Sequence, residues 1–213
     1  MSTSSKRGRP GAPLPAEASS EASQNRLADD LFDAIMRWDV DEVVCLASQM
    51  DCLDSHRRPS HGDTPLLFAA RCDLPVAGVS FLLSRSDPLL TAWDGASALL
   101  LAAMGDSPHS PSLVSLLLPV SDPLALADGT ESALLCSLRD CHLEIMAILL
   151  PHSDLAQRDQ NGNTPLEKAR KSRSAEGDEA ADLILGEMAR REAAELGASA
   201  LSAEHKDSRA QRL

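Results

Sequence analysis

The residues with the most obvious chemical potential are Cys136, Cys141 and His142, which form a C-x4-C-H string. Haem attachment uses C-x-x-C-H, so this string is stretched by two residues, and the same irregular spacing disfavours a metal site. Acidic pairs such as Asp29-Asp30 and Asp41-Glu42 fall at predicted helix starts, where carboxylates suit the helix dipole. The charged stretch from Lys168 to Asp178 reads as a solvated helix end and loop. The sequence holds no phosphate loop, dinucleotide fingerprint, nucleophile elbow or H-E-x-x-H motif. It therefore predicts no enzyme, no cofactor and no metal.

A second candidate lies at the N-terminus. Arg7-Gly8-Arg9-Pro10 resembles the core of an AT-hook, whose arginines enter the minor groove of A·T-rich DNA. Only Lys6 adds basic charge beside it, and the chain carries a formal net charge of −12. That charge repels phosphate backbones, so nucleic-acid binding is disfavoured and Arg7 and Arg9 stand as a weak DNA-binding pair. No apolar run approaches the roughly 20 residues of a membrane span. The N-terminus has no apolar core of a secretory signal. Five cysteines, odd in number and irregularly spaced, predict reduced, mostly buried thiols and a cytoplasmic setting.

The elements that must position any site come from composition and period. Apolar residues make up 43% of the 213-residue chain and aromatic residues only 2%, which suits thin, closely packed helical layers and argues against a sandwich or barrel. Residues 1–25 are Ser-, Ala-, Pro- and Gly-rich and are expected to be disordered. Residues 197–213 are expected to form a flexible tail. Between them the chain repeats: Gly62, Gly95, Gly129 and Gly162 lie 33, 34 and 33 residues apart. Each precedes a short phrase, Thr64-Pro65-Leu66, Ser97-Ala98-Leu99, Ser132-Ala133-Leu134 and Thr164-Pro165-Leu166. The glycine permits a left-handed turn. Thr or Ser caps a helix, and Pro at the first helical position loses nothing. Apolar sets such as Leu66, Phe68 and Ala69, then Val79, Phe81, Leu82 and Leu83, predict two packed helices per unit.

This pattern resembles the ankyrin repeat, a unit of about 33 residues with a turn and two antiparallel helices. Asp159 to Leu166 and His142-Leu143-Glu144-Ile145 match it best. The resemblance implies an all-α ankyrin-repeat solenoid over 27–196, its helix-turn-helix units joined by hairpin-like fingers: a cap at 27–57, units near 58–91, 92–125 and 126–157, and a C-terminal cap at 158–196. Glu187, Arg190 and Arg191 are expected to shield the outer face of that last cap, and capped ends favour a monomer. The sequence departs from the family in places. The His that follows Thr-Pro-Leu is replaced by Leu67, Leu100, Leu135 and Glu167, which removes a usual tie between turns. Gly129 lies one residue further from Ser132, which would place Thr130 in the glycine slot. The loop Gly105–Pro111 is long, and second helices end in Ser-Asp-Pro.

What the resemblance implies about function is binding of an unidentified protein partner by fingers and by a palm of first helices. Finger candidates are Ser60, His61, Asp63, Trp93, Asp94, Ala96, Asp128, Glu131, Gln160, Asn161 and Asn163; palm candidates are Arg71, Met104 and Arg139. Trp93 stands out, because Trp is enriched at interface hot spots; the alternative is that it folds back over a neighbouring turn. Two other readings compete. The Ser-rich N-terminus would suit an export signal of an effector delivered to a host cell by a specialised system, since bacterial ankyrin arrays include such proteins. The Arg7–Pro10 segment would suit a DNA-tethered adaptor.

Overall fold

The computed structural model describes residues 15–139 and 141–210. Among the described residues there are ten α-helices and no strands. They are α1 (Pro15–Met36), α2 (Val40–Gln49), α3 (Pro65–Arg71), α4 (Val76–Leu83), α5 (Ala98–Ala103), α6 (Ser110–Leu117), α7 (Ala133–Ser137), α8 (Leu143–Leu149), α9 (Pro165–Lys171) and α10 (Ala175–Ala210). No helix among them is long and apolar enough to cross a membrane.

Local chemistry explains where the helices start and stop. Thr64, Ser97, Ser132 and Thr164 each accept a backbone N–H three residues on, from Leu67, Leu100, Leu135 and Glu167. Thr164 and Glu167 complete a capping box, which satisfies two orphan donors at once. At the other end, Trp38, Asp73 and Cys141 adopt positive φ. The next residue donates to the carbonyl five positions back: Asp39 to Ala34 at 3.1 Å, Leu74 to Ala69 at 3.0 Å and His142 to Ser137 at 3.0 Å. These are Schellman endings, which normally use Gly at the left-handed position. After the second helices, Asp87, Asp122 and Asp154 each accept the N–H two residues on, from Leu89, Leu124 and Ala156, all at 2.9 Å. The Ser-Asp phrase, followed by Pro in two of the three cases, is thus an Asx turn in place of a glycine stop.

The helices pack in consecutive pairs. Those that open each pair form one row, α1 on α3, α3 on α5 and α5 on α7. Their partners form another, α2 on α4, α4 on α6, α6 on α8 and α8 on α10. The core is aliphatic and runs the length of both rows, from Leu31 and Ile35 through Leu66, Leu99 and Leu134 to Ile184. Alanines at Ala69, Ala70, Ala102 and Ala103 are fully buried, so neighbouring backbones approach closely.

Three expectations change. Helix α1 begins at Pro15, inside the segment 1–25 expected to be disordered, because Ala, Glu and Gln favour helix and Pro is tolerated at its first position. Helix α10 runs on to Ala210, into the expected tail, for the same reason of composition. Glu187 does not lie on a solvated outer face; it is buried. Arg190 and Arg191 pair with it, the latter at 2.7 Å, and Arg191 also donates to the carbonyls of Leu150 and Ser153 at 2.6 and 3.0 Å. The charges seal the joint between α8 and α10 and are part of its packing.

Candidate functional site

Four turns project between the helix pairs. Each is closed by a backbone bond across its base: Arg58 N–H to Asp63 O at 2.9 Å, Ala92 to Ala96 at 3.0 Å, Ala127 to Glu131 at 2.8 Å and Asp159 to Asn163 at 2.9 Å. Gly62, Gly95, Gly129 and Gly162 all take positive φ, between +72° and +81°, as the left-handed turn requires. Thr130 does not take the glycine slot in the third turn. Gly129 keeps it, and Asp128 joins it at φ +48°, since Asp and Gly tolerate this region and β-branched Thr does not.

The turns are also tied to one another, without a His after Thr-Pro-Leu. Trp93 N–H donates to His61 O at 3.0 Å, and Asp128 N–H to Asp94 O at 2.8 Å. Arg57 reaches the carbonyls of Gly62 and Thr91 at 2.7 and 2.9 Å, and Gln157 reaches that of Thr130 at 3.2 Å. The ring of Trp93 lies over Gly62 so closely that a Cβ there would sit 2.4 Å from its Cδ1. Even so, Trp93 is 66% exposed. One face of the ring rests on the neighbouring turn and the rest is open.

Several other finger candidates prove to be internal. Asp63 is fully buried and receives two bonds from Arg71, Nε at 2.8 Å and Nη2 at 3.0 Å. Asp63 therefore offers nothing to a partner, and its hydrogen bond holds the Arg71 guanidinium above its ordinary pKa. Eight residues separate this pair, and the spacing recurs. Glu131 pairs with Arg139 at 3.5 Å, and Asn163 accepts from Lys171. Each side chain at a finger base thus reaches the end of the helix it precedes, as a strut. In the second turn the same two positions hold Ala96, which is buried, and Met104, which is 37% exposed. Asn163 is further occupied by Asp159, whose carboxylate accepts the N–H groups of Asn161 and Asn163 at 2.9 and 2.8 Å. Burial would push the Asp159 carboxyl up, yet those bonds from Asn163 and Asn161 hold it below its ordinary value.

The palm is narrower than expected. Residues 65–70, 98–103 and 133–138 are all buried, so the first helices reach solvent at or just past their C-terminal ends, at Arg71, Met104 and Arg139. On the fingers, Ser60, His61, Trp93, Asp94, Asp128, Gln160 and Asn161 are exposed, whereas Ala96 is buried. Arg7 and Arg9 lie outside the described residues.

The cysteine string breaks up. Cys136 is buried in α7, and burial together with a bond to Glu131 pushes its thiol up to about 12. Cys141 occupies the left-handed turn before α8. Of the five free thiols Cys136 alone is buried, while Cys45 and Cys52 are exposed, so the expectation of mostly buried cysteines is corrected. Among the described residues no group of three or more His, Cys, Asp or Glu could hold a metal.

Trp38 went unread in the sequence. It sits half-exposed at the α1–α2 turn, donates Nε1–H to Cys72 O at 2.8 Å and meets the edge of His109 at 6.5 Å. Only the apolar ring in a turn otherwise marked polar could have signalled it. Searches against protein-family models and the curated proteins return no match.

Proposed function

We propose that this chain is a non-catalytic protein-binding module, an ankyrin-type array that holds a protein partner on its finger and palm surface. The observation that carries the reading is Trp93, two-thirds open to water on a finger fixed by the Trp93–His61 and Asp128–Asp94 backbone bonds. An indole held rigidly in water is the kind of anchor that concentrates binding energy at an interface, because little conformational freedom is left to lose on docking. The serial helix pairs, the Thr and Ser caps and the positive-φ glycines support the array itself. The palm adds the half-buried Arg71 and the exposed Met104 and Arg139, and the fingers add His61, Asp94, Asp128 and Asn161.

The test is affinity capture with quantitative mass spectrometry, comparing the wild type with Trp93→Ala and with Arg190→Ala, a surface change far along the chain. Proteins that depend on the finger surface are lost from Trp93→Ala and retained by Arg190→Ala, with helical circular dichroism unchanged in both. Identical capture by all three forms would discard the reading.

A further inference from the structure

We infer that the partner presents an extended acidic–apolar–acidic segment, with two residues between successive anchors, laid across the ends of α3, α5 and α7. This rests on the protein-binding reading above and names the chemistry of its ligand. Arg71, Met104 and Arg139 each stand seven residues after a helix cap, Thr64, Ser97 and Ser132. They therefore occupy the same place on three successive helices. Helix α3 packs on α5 and α5 on α7, and packed helix axes lie about 8–10 Å apart. A polyproline-II chain, the extended form whose every third side chain returns to the same face, rises about 3.1 Å per residue, so one helix step spans about three residues of a ligand running across the row.

The three side chains define the ligand's order. Met104 is the exposed apolar centre, and it lacks a strut because Ala96 stands where Asp63 and Glu131 stand in the flanking units. On either side are guanidinium groups paired with carboxylates of this chain. Asp63 grips Nε and Nη2 of Arg71, which leaves the Nη1 edge without a partner among the described residues. Arg139 is engaged through Nη2, to Glu131 at 3.5 Å and Cys136 at 3.9 Å, and its side chain is 49% exposed. Arginine donors already oriented by internal carboxylates bind a further carboxylate with less ordering cost. At the helix ends themselves a basic residue would meet a guanidinium first, since Asp63 is sealed and Glu131 is engaged by Cys136 and Arg139; the exposed carboxylates nearby, Asp94 and Asp128, lie on the fingers. Asp94 also acts on Arg71 through space, so the carboxylate facing Arg139 is the stronger of the two.

The experiment titrates the isotopically labelled full chain with the peptide Glu-Gly-Ser-Leu-Gly-Ser-Glu and follows its NMR spectrum. Three control peptides replace both Glu by Lys, replace Leu by Ser, or shorten each spacer to one residue. The parent peptide is expected to shift the Met104 methyl and the Arg71 and Arg139 Nε–H resonances, less so as salt rises. Arg139→Gln weakens binding about threefold, as loss of an exposed ion pair does. Arg139→Glu moves the preference toward the Lys peptide, and Met104→Ser removes the preference for Leu. Absence of localised shifts, or equal shifts from the Lys or short-spacer peptide, would overturn the inference. Trp93-dependent capture in the preceding experiment would still stand in that case, so the two failures are separable.

Discussion

Replacing Gly62 by Ala sets the cost of a strained turn against the cost of moving Trp93. Gly62 and Gly162 have nearly the same φ, +73° and +76°, but a Cβ on Gly162 would meet nothing within 4 Å, whereas one on Gly62 would lie 2.4 Å from the Trp93 ring. Gly162→Ala therefore measures backbone strain alone. A left-handed non-glycine residue costs about 1–2 kcal/mol, offset by about 0.4–1 kcal/mol from a stiffer unfolded chain, for a net loss near 1 kcal/mol. Gly62→Ala adds displacement of the indole. Trp93 is 66% exposed, so about a third of its surface is covered. With about 200–250 Å² for a whole Trp and 25 cal/mol per Å², that cover is worth at most about 2 kcal/mol. The expected losses are about 1 kcal/mol for Gly162→Ala and about 2–3 kcal/mol for Gly62→Ala. In a Trp93→Ala background, Gly62→Ala falls back to about 1 kcal/mol, and the difference is the coupling between the two residues. Urea unfolding followed by far-ultraviolet circular dichroism gives all the values without relying on Trp emission. Equal losses for Gly62→Ala and Gly162→Ala in the wild-type background would refute the ring's placement over the finger.

Other perturbations have equally definite signs. Cys141→Gly should stabilise the chain by about 0.5–1 kcal/mol, because φ +55° costs an L-residue more than the extra unfolded freedom of Gly; an unchanged or lower urea midpoint contradicts the Schellman assignment. Burial raises the Asp73 pKa in the folded state, so this group favours folding as pH falls through the raised folded value and disfavours it at neutral pH. Asp73→Asn, which keeps an acceptor for Ser110 Oγ and tolerates the left-handed φ, should be more stable than wild type at pH 7, with the gain vanishing below about pH 3.8, the group's ordinary value. Asp159 has the opposite sign: its lowered pKa contributes stability above about pH 4 that is lost in acid, visible as faster amide exchange at Asn161 and Asn163. Arg191→Ala should cost about 2–3 kcal/mol, since it removes one of the two partners of buried Glu187 and the donor to two carbonyls. Arg190→Ala, at an exposed pair, should cost less than about 1 kcal/mol, and urea midpoints separate the two.

Much of the fold was legible because its signals are local. A capping hydroxyl needs only the three residues after it, so Thr64, Ser97, Ser132 and Thr164 announced four helix starts. Glycine announces a left-handed turn by itself, and the apolar sets announced paired helices. The helix ends were less legible, because Trp38, Asp73 and Cys141 adopt a conformation that their own chemistry does not advertise. The context imposes it: a Schellman bond satisfies backbone groups whatever side chain stands there. The extent of α1 and α10 was misjudged because Ala- and Glu-rich segments with few large apolar residues read equally as helix or as tail.

The candidate site was read less well, for a reason that bears on its use. Sequence register assigns a residue to a finger, but exposure depends on whether that residue has an internal partner eight positions on. Asp63 with Arg71, Glu131 with Arg139 and Asn163 with Lys171 answer that question for three units, and the partners become visible only when finger and helix end are seen together. Ala96 and Met104 are the exception that gives the struts their meaning. A polar strut holds a finger against the palm and fills its own hydrogen-bonding capacity. The unit without one leaves a bare thioether at its helix end and carries the exposed Trp93 at its tip. If the struts served stability alone, a polar pair restored by Ala96→Asp with Met104→Arg should improve the chain or leave partner capture untouched. If the gap is where a partner docks, the double variant keeps its fold and loses the partner. Paired measurement of melting temperature and capture decides between them.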